Sequence, residues 1–416
     1  MAAIELGSFA IPAVLVLIFF LAYTSQILFL YLEPRPLNTE ELLIFNGLLI
    51  CLLISYARAC ATDPGGIPKD WDTKPSDIAS LEAHSGKLRG RWCRRCEAFK
   101  PPRAHHCKTC GRCIPKMDHH CPWTANCVSF TTFPHFMRFL VYAVAAMSYL
   151  MTFIWQRGAI LWENRHLPSY YGPSPLKLAH LFVLVVVNTF TLFALSILLI
   201  RVVWSLAINT TTIEGWEIER HETLLRRARY LGGYLTAPDG SKVRIVRQEF
   251  PYDIGIFKNI AQGMNTWNII AWFWPFSATP KAKDGVSFEE NGFEDAAKSW
   301  PPPDPDRVLR SMPAPSIGEI RDHDEEPEEM RIQAFRQRQE EDMRRRRPFR
   351  QRIEKQIDTE QSEDDGLSDA GSASGEEGWK NSEGERLRDF GVDEDVEFYD
   401  EDDLPLSVLM KRRRAA

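Results

Sequence analysis

Seven cysteines and four histidines lie within residues 93–127. A tetrahedral zinc site built from cysteine and histidine takes four side chains, so two sites need eight of these eleven residues. Three residues are therefore surplus, and we expect one of them to be a thiol without a metal. A free cysteine beside a histidine and an aspartate, between metal ligands, is typical of a nucleophile on a metal-stabilised scaffold.

The spacing of the cysteines indicates zinc. Two-residue gaps separate Cys93 from Cys96, Cys107 from Cys110, and Cys110 from Cys113. The loop is otherwise polar and basic, so metal binding would supply the free energy that orders it. Spacing alone leaves open how Cys107, Cys110 and Cys113 divide between two ions. It also leaves open which histidine of each His-His doublet binds.

The candidate nucleophile lies in the tetrapeptide 118–121, which reads Asp-His-His-Cys. A cysteine thiol has a pKa near ~8.5, so a neighbouring histidine is needed to raise its thiolate fraction. An aspartate would hold that histidine in one tautomer, as in a Ser-His-Asp triad. Because positions two apart do not share a helix face, we expect Asp118, His119 and Cys121 to converge through a turn.

Apolar and charged residues are segregated along the chain. Its 416 residues are 44% hydrophobic and 25% charged, with a formal net charge of −6. The slight acidity does not indicate a nucleic-acid partner. Four apolar segments meet or approach the length of a membrane span, at residues 9–32, 42–57, 139–156 and 178–200.

The basic residues predict the orientation of these spans. Thirteen Lys or Arg lie in residues 58–116, against one in the first connecting loop and three in the third. Positive loops stay in the cytosol, so the cysteine-rich loop and both termini are predicted to be cytosolic. Thiolate ligands and a free thiol fit the same reducing compartment.

Two further regions follow the fourth span. Residues 267–274 contain three tryptophans, and the sequence leaves open whether they lie in the headgroup layer or form a small core. From residue 280 onward, proline, glycine, serine and acidic runs predict a mostly disordered tail.

A nucleophilic cysteine at a membrane surface suits one class of substrate. A thioester whose acyl chain lies among apolar helices would gain roughly 0.8 kcal/mol per buried CH₂. A long-chain acyl-CoA is therefore the expected donor, and a protein thiol is the expected acceptor.

In the cysteine-rich residues 93–127 the sequence resembles the DHHC-type protein S-acyltransferases, the membrane palmitoyltransferases. The resemblance covers residues 9–274 and includes two satellite motifs, Asp63-Pro64-Gly65 and Thr211-Thr212-Ile213-Glu214. Residues 134–139 and 165–170 resemble the fungal endoplasmic-reticulum branch. The central motif is carried by Cys93, Cys96, Lys100-Pro101, Arg103, His106-Cys107, Cys110, Cys113, Asp118-His119-His120-Cys121-Pro122-Trp123 and Asn126-Cys127.

The resemblance implies a role for each site residue. Cys121 would be the acylated nucleophile, His119 its base and Asp118 the residue that orients the base. Trp123 would either line the acyl pocket or anchor at the interface, and Thr211, Thr212, Glu214 and Asn259 would support the site. Two structural zinc ions would be bound, one by Cys93, Cys96, His106 and Cys113 and the other by Cys107, Cys110, His120 and Cys127.

The implied protein is membrane all-α. We expect helices 1 and 2 in residues 1–60, the zinc domain in 61–135 and helices 3 and 4 in 136–205. A cytosolic segment on the active site (206–279) and the tail (280–416) would follow. The expected activity is transfer of palmitate from palmitoyl-CoA to membrane-proximal cytosolic cysteines of proteins at the endoplasmic reticulum membrane, in contact with its lipids.

Two departures and two alternatives accompany this interpretation. The family has Gly and Asn where this chain has Ser129 and Thr132, which predicts an altered turn into the third span. Thr211, Thr212 and Glu214 also form a capping motif for a helix beginning at Gly215. The alternatives are a membrane-anchored zinc-binding interaction module, such as a ubiquitin ligase-like protein, and a family member that acts only as a scaffold.

Overall fold

The computed structural model describes residues 7–34, 36–68, 71, 92–168, 171–236, 242–293, 300–302, 304–305 and 379–393. The chain divides into two units, and the first comprises Met1–Leu309 and Lys380–Ala416. The second unit is Arg310–Trp379, of which only Trp379 is described.

Four apolar spans dominate the described residues, as the sequence predicts. The first combines two helices joined by a π-helical turn at Phe20–Thr24. The second, third and fourth spans extend beyond both ends of the predicted apolar segments, because helical hydrogen bonding continues into flanking polar residues, whereas the first ends at Phe29, before the predicted residue 32. The bounds are α1 Gly7–Phe19, α2 Ser25–Phe29, α3 Thr39–Ala61, α4 Phe133–Glu163 and α5 Pro175–Ala207.

The second span shows why such extensions occur. Glu41 is part of a capping box, in which Asn38 Oδ1 accepts the Glu41 amide at 2.8 Å and Glu41 Oε2 accepts the Asn38 amide at 2.9 Å. These bonds satisfy amides that a helix start leaves unpaired. The helix therefore begins at Thr39 instead of fraying at the charged residues.

Helix α4 lies at the centre of the bundle and packs against both α3 and α5. Phe29, Phe45 and Phe153 are buried where the first three spans meet. The rings of Phe45 and Phe153 meet edge to face, with centroids 6.1 Å apart. This arrangement lets aromatic rings fill the core with favourable quadrupole geometry.

The cysteine-rich domain consists of short antiparallel hairpins. Its described residues form no hydrophobic cluster as large as that of the bundle, so metal binding is expected to stabilise the hairpins. A 3₁₀ turn, Pro122–Thr124, joins the last two strands. The three hairpins pair β1 Trp92–Cys93 with β2 Ala98–Phe99, β3 His105–Cys107 with β4 Arg112–Ile114, and β5 His119–Cys121 with β6 Asn126–Val128.

The segment after the fourth span is ordered by a capped helix. This helix, α6, spans Thr212–Tyr230 and so begins three residues before the predicted Gly215. Thr211 is its N-cap, and Glu214 completes the capping box that the sequence indicates. The remaining elements are β7 Tyr234–Thr236, β8 Lys242–Arg244, α7 Ile256–Met264 and α8 Ile269–Phe273.

Two stretches of the predicted tail have defined conformations. The ring of Phe288 packs against Tyr252 and Phe130, with centroids 6.1 Å from each. Residues 380–393 lie against the cysteine-rich domain and are described below. Residues 306–378 and 394–416, the larger part of the predicted tail, lie outside the described residues.

Candidate active site and metal clusters

Two groups of three sulfurs and one imidazole nitrogen form within the cysteine-rich domain. In each group the four donor atoms all lie within 4.8 Å of one another. The groups are Cys93, Cys96, His106 and Cys113 (cluster one), and Cys107, Cys110, His120 and Cys127 (cluster two).

The distances within each cluster fit a tetrahedral zinc ion. With Zn–S at ~2.3 Å and Zn–N at ~2.0 Å, the S···N edges of a tetrahedron are about 3.5 Å. In cluster one the distances from His106 Nδ1 to the three sulfurs are 3.4, 3.3 and 3.7 Å. In cluster two the distances from His120 Nδ1 are 3.6, 3.5 and 3.5 Å.

Strand alternation explains how the ligands interleave. Successive side chains on a strand point to opposite faces. On β3, His106 therefore joins cluster one, whereas the adjacent Cys107 joins cluster two. Cross-strand pairing completes each set, because His106 is opposite Cys113 and His120 is opposite Cys127. These pairs decide the division that spacing alone left open.

The same alternation brings the candidate nucleophile and base together. His119 and Cys121 are two residues apart on β5, so both side chains project from the face opposite to His120. The prediction that they converge through a turn is wrong. A helix was the wrong reference, because a two-residue period places side chains on one face of a strand. The imidazole of His119 and the thiol of Cys121 are close enough to interact electrostatically.

Asp118 completes this group. Its Oδ2 lies 2.6 Å from His119 Nδ1, so that nitrogen donates to the carboxylate. This bond leaves the second ring nitrogen for exchange of a proton with the thiol. The structure thus brings together Asp118, His119 and Cys121 in the order that a base-activated nucleophile requires.

The three groups shift one another's pKa values. Burial alone would lower the pKa of His119, but its bonds to Asp118 and Cys121 outweigh burial and raise the pKa to about 10. Burial would raise the pKa of Asp118, yet bonds from His119 and Thr212 lower it. The pKa of the Cys121 thiol is also lowered, because its interactions with His119 exceed the cost of desolvation.

The N-terminus of α6 holds Asp118 in place. The Thr212 amide donates to Asp118 Oδ1 at 2.9 Å, and the Thr212 hydroxyl donates to the Asp118 carbonyl at 2.5 Å. A carboxylate at a helix N-terminus also gains from the helix dipole. Thr212 is therefore the predicted supporting residue that directly contacts the site.

Glu214 supports the site through a buried ion pair. Arg103 Nε and Nη2 donate to its two carboxylate oxygens at 2.6 and 2.7 Å. The guanidinium lies 4.5 Å from the ring centroid of Tyr252 and 4.9 Å from that of Phe288. Sequence analysis included Arg103 only as part of a motif, because its partner is more than a hundred residues away.

An apolar cavity of about 450 Å³ connects the site to the membrane spans. Residues of all four spans line it, together with His119, Cys121 and Trp123. Along α4 its wall runs from Phe136 to Leu150, a distance of about 21 Å at 1.5 Å per residue. The cavity therefore extends from the candidate nucleophile deep into the bundle.

The turn after Cys121 is attached to the second span. Tyr56 donates its hydroxyl to the Trp123 carbonyl at 2.8 Å. Asn126, the cross-strand partner of Cys121, donates to the carbonyls of Ala59 at 3.0 Å and Thr62 at 2.7 Å. Sequence analysis did not identify Tyr56, since a tyrosine in an apolar segment carries no pattern that signals this bond.

The turn into the third span is closed despite its departures from the family pattern. Thr132 Oγ1 accepts the Ser129 amide at 2.9 Å and donates to the Cys127 carbonyl at 2.6 Å. Ser129 Oγ donates to the Pro64 carbonyl at 2.8 Å, which gives the Asp63-Pro64-Gly65 motif a role. The Thr132 hydroxyl thus closes the turn, and the Ser129 hydroxyl connects it to the segment that follows the second span.

Two residues remain, Asn259 as the last predicted supporting residue and His105 as the remaining histidine of residues 93–127. Asn259 is buried at the C-terminal end of α5, where its Nδ2 donates to the Ala207 carbonyl at 2.7 Å. Its Oδ1 accepts the Ile254 amide at 3.0 Å. His105 is buried but is not among the donors of either cluster. Asn259 therefore connects the fourth span to α7.

Known proteins resemble this chain in the region of the site and beyond it. Residues 87–219 match the family described as DHHC palmitoyltransferase. The chain is 58% identical to "Palmitoyltransferase pfa4" of Emericella nidulans, over 97% of this chain and 96% of that protein. It is 55% identical to the protein of the same name from Aspergillus fumigatus, over 99% and 98% of the two chains.

The chain belongs to the DHHC palmitoyltransferase family. A third relative, "Palmitoyltransferase PFA4" of Gibberella zeae, is 46% identical over 97% of this chain and 95% of that protein. The protein is thus a protein S-acyltransferase with several membrane spans and two clusters that could hold metal ions. This assignment favours acyl transfer over the ubiquitin ligase-like alternative.

Proposed function

We propose that the acyltransferase uses Cys121 as its nucleophile and palmitoyl-CoA as its donor. The observation that carries this proposal is the position of Cys121, which interacts with His119 on β5 and also lines the apolar cavity. A thioester carbonyl would meet the thiol there while its acyl chain occupies the cavity.

The first half-reaction forms an acyl-enzyme. His119, oriented by Asp118, takes the proton of the Cys121 thiol, and the sulfur attacks the thioester carbonyl carbon. The bond between that carbon and the CoA sulfur breaks. The leaving CoA thiolate then takes the proton from His119, so charge and protons balance.

The second half-reaction transfers the acyl group to a protein. His119 takes the proton of an acceptor thiol, which attacks the acyl-enzyme carbonyl. The bond to Cys121 Sγ breaks, and the proton returns to that sulfur. Both half-reactions exchange one thioester for another, so binding of the chain supplies much of the specificity, at roughly 0.8 kcal/mol per buried CH₂.

The acceptors are membrane-proximal cytosolic cysteines of proteins. Because Cys121 lies where the cysteine-rich domain meets the cavity, an acceptor must approach along the membrane surface. The basic loop and both termini would face the cytosol, as the distribution of Lys and Arg indicates. We place the protein in the endoplasmic reticulum membrane.

The two clusters would hold structural zinc ions. Bound zinc supplies the free energy that orders hairpins too short to fold alone. All four donors of each cluster come from the protein, which is the arrangement of a closed structural site. Cys121 belongs to neither cluster, so its sulfur stays available for acylation.

The tryptophan-rich segment would lie in the headgroup layer. Trp267 is 71% exposed and Ile270 is 78% exposed, which disfavours a small core. Arg138 holds the segment to the third span by donating to the Ala271 and Trp272 carbonyls, each at 2.9 Å. Exposed aromatic rings gain most at the membrane interface.

Mass spectrometry with palmitoyl-CoA tests the nucleophile. We expect the wild-type protein to carry one palmitoyl adduct at Cys121 and two zinc ions. The Cys121→Ser variant should lose the thioester adduct but keep both ions. Cys60→Ser is the matched control, since Cys60 is a half-buried thiol at the end of α3, and it should be acylated normally.

Three results would contradict the proposal. A thioester adduct that persists in Cys121→Ser would assign the nucleophile elsewhere. Loss of zinc in that variant would make Cys121 a ligand. Absence of CoA release from the wild-type protein would favour the scaffold alternative.

A further inference from the structure

A short segment near the end of the chain returns to the cysteine-rich domain. We call residues 380–393 the C-terminal strap. It belongs to the same unit as the membrane spans, although more than seventy residues separate it from residue 305. An acidic, glycine-containing segment predicts no fixed position, so its contacts are informative.

The strap pairs with the edge of β3. The Lys108 amide donates to the Gly391 carbonyl at 3.0 Å, and the Asp393 amide donates to the His106 carbonyl at 3.0 Å. Val392 forms an antiparallel bridge with Cys107. The strap therefore satisfies backbone groups next to one ligand of each cluster, as an added strand would.

Apolar side chains of the strap are buried as deeply as those of the core. Leu387, Phe390 and Val392 are 2%, 7% and 1% exposed. Burial of this extent distinguishes the strap from a segment that merely rests on a surface.

Polar contacts attach the other end of the strap to the helices. Arg201, near the cytosolic end of α5, pairs with Glu383 at 2.7 Å. The Ser382 amide donates to Glu219 Oε1 of α6 at 2.5 Å. The strap thus connects the fourth span and α6 to the metal clusters.

Gly391 brings the strap against the catalytic strand. Its φ is +82°, and a Cβ built on it would lie 2.6 Å from the Cβ of His120. His120 lies between His119 and Cys121, and its side chain points to the opposite face of β5. The strap therefore supports β5 from behind the candidate catalytic pair.

We propose that the C-terminal strap is a positioning element of the acyltransferase, which holds β5 and cluster two so that His119 meets Cys121. This inference rests on the catalytic roles proposed above. A displacement of about 1 Å at a catalytic pair can cost about a hundredfold in rate, so a support behind the strand affects chemistry directly.

Two glycine variants test the strap. Gly391→Ala and Gly384→Ala both place alanine at a positive φ, +82° and +81°, but nothing lies within 4 Å of a Cβ at Gly384. We expect Gly391→Ala to slow acyl-enzyme formation about 10- to 100-fold per molecule holding both zinc ions. It should also release zinc faster to a chelator, with KM for palmitoyl-CoA unchanged. Gly384→Ala carries the same backbone strain without a contact to His120, so it should slow the reaction far less than Gly391→Ala does.

Equal rates in the two glycine variants would overturn the proposal. So would a loss that disappears when activity is normalised to zinc-loaded protein, because the strap would then only stabilise the fold. Zinc release does not depend on which residue is acylated. Labelling at Cys121 with unchanged zinc release in Gly391→Ala would refute the strap proposal alone. Faster zinc release with labelling at another residue would refute the Cys121 proposal alone.

Truncations with a peptide in trans provide the second test. A chain ending at Asp393 should keep wild-type activity, whereas a chain ending at residue 378 should lose it to the extent seen for Gly391→Ala. A synthetic peptide of residues 379–393 at millimolar concentration should restore the shorter chain. A peptide with Leu387→Ala and Phe390→Ala should not. Equal activity of the two truncations, or rescue by both peptides, would refute the strap's role.

Discussion

Replacing Thr212 by valine removes one hydroxyl from the support of Asp118. The backbone amide of residue 212 would still donate to Asp118 Oδ1, but the 2.5 Å bond to the Asp118 carbonyl would be lost. Because Asp118 bonds to His119 Nδ1, the change should reach the proposed catalytic pair without touching it.

The magnitude follows from hydrogen-bond energetics. A neutral hydrogen bond contributes about 1 kcal/mol, and a buried carbonyl left unpaired costs about 1–3 kcal/mol. At about 1.4 kcal/mol per tenfold, the rate of acyl-enzyme formation should fall between about 5-fold and about 100-fold. KM for palmitoyl-CoA should change little, since Thr212 does not line the cavity.

Thr223→Val is the matched control in the same helix. Both threonines are half-buried, and Thr223 Oγ1 donates to the Glu219 carbonyl at 3.0 Å, one turn earlier in α6. The assay is single-turnover release of CoA, with zinc content measured in parallel. If Thr212→Val and Thr223→Val react at the same rate, α6 does not position Asp118 and the reasoning fails.

Three further predictions concern stability, metal and chain length. Burial would raise the pKa of Glu214, but the ion pair with Arg103 outweighs burial and lowers this pKa below the ordinary 4.5. The stabilisation from the ion pair is therefore fully present above pH 4.5 and is lost as the pH falls through the folded-state pKa of Glu214. The difference in melting temperature between wild type and Glu214→Gln should therefore be largest at neutral pH and shrink below pH 4.5; a constant difference would contradict this. Removing zinc with a strong chelator should make residues 92–132 sensitive to protease and abolish acylation. The reason is that a structural zinc ion contributes about 10–16 kcal/mol to folding. Resistance to protease without zinc would argue against structural sites. Ala22→Phe should fill the end of the cavity far from Cys121. Each methylene excluded from the cavity should cost about 0.8 kcal/mol, which is about fourfold in affinity, so competition labelling should shift from palmitoyl-CoA to shorter acyl-CoAs. An unchanged preference would show that the acyl chain lies elsewhere.

Sequence analysis predicted the spans and a metal-binding Cys/His region because both signals are local. The length of an apolar run decides whether it can cross a bilayer. The Cys/His count decides how many ions can be bound, and Cys121 was then identified by resemblance. Helix ends were less predictable, since the capping bonds of Asn38 and Thr211, and not hydropathy, decide where α3 and α6 begin.

The contacts that position the site were not predictable from local patterns. Arg103 and Glu214 are more than a hundred residues apart, and nothing near either residue names its partner. The strap has three buried apolar residues without periodicity, so its composition resembles that of a disordered tail. Ser129 and Thr132 predicted an altered turn, but Thr132 closes the turn locally through the Cys127 carbonyl. The Ser129 hydroxyl bonds to the Pro64 carbonyl, which only folding brings close.

The sequence by itself determined the chemistry available to this protein: eight metal donors, one spare thiol beside a histidine and an aspartate, and four spans. Only the tertiary structure decided the geometry. It set the facing of His119 and Cys121 through strand alternation, and the same alternation accounts for the ligand division that spacing left open and the resemblance implied. It also brought α6, the second span and the strap to the same strand, because long-range contacts depend on where the whole chain packs.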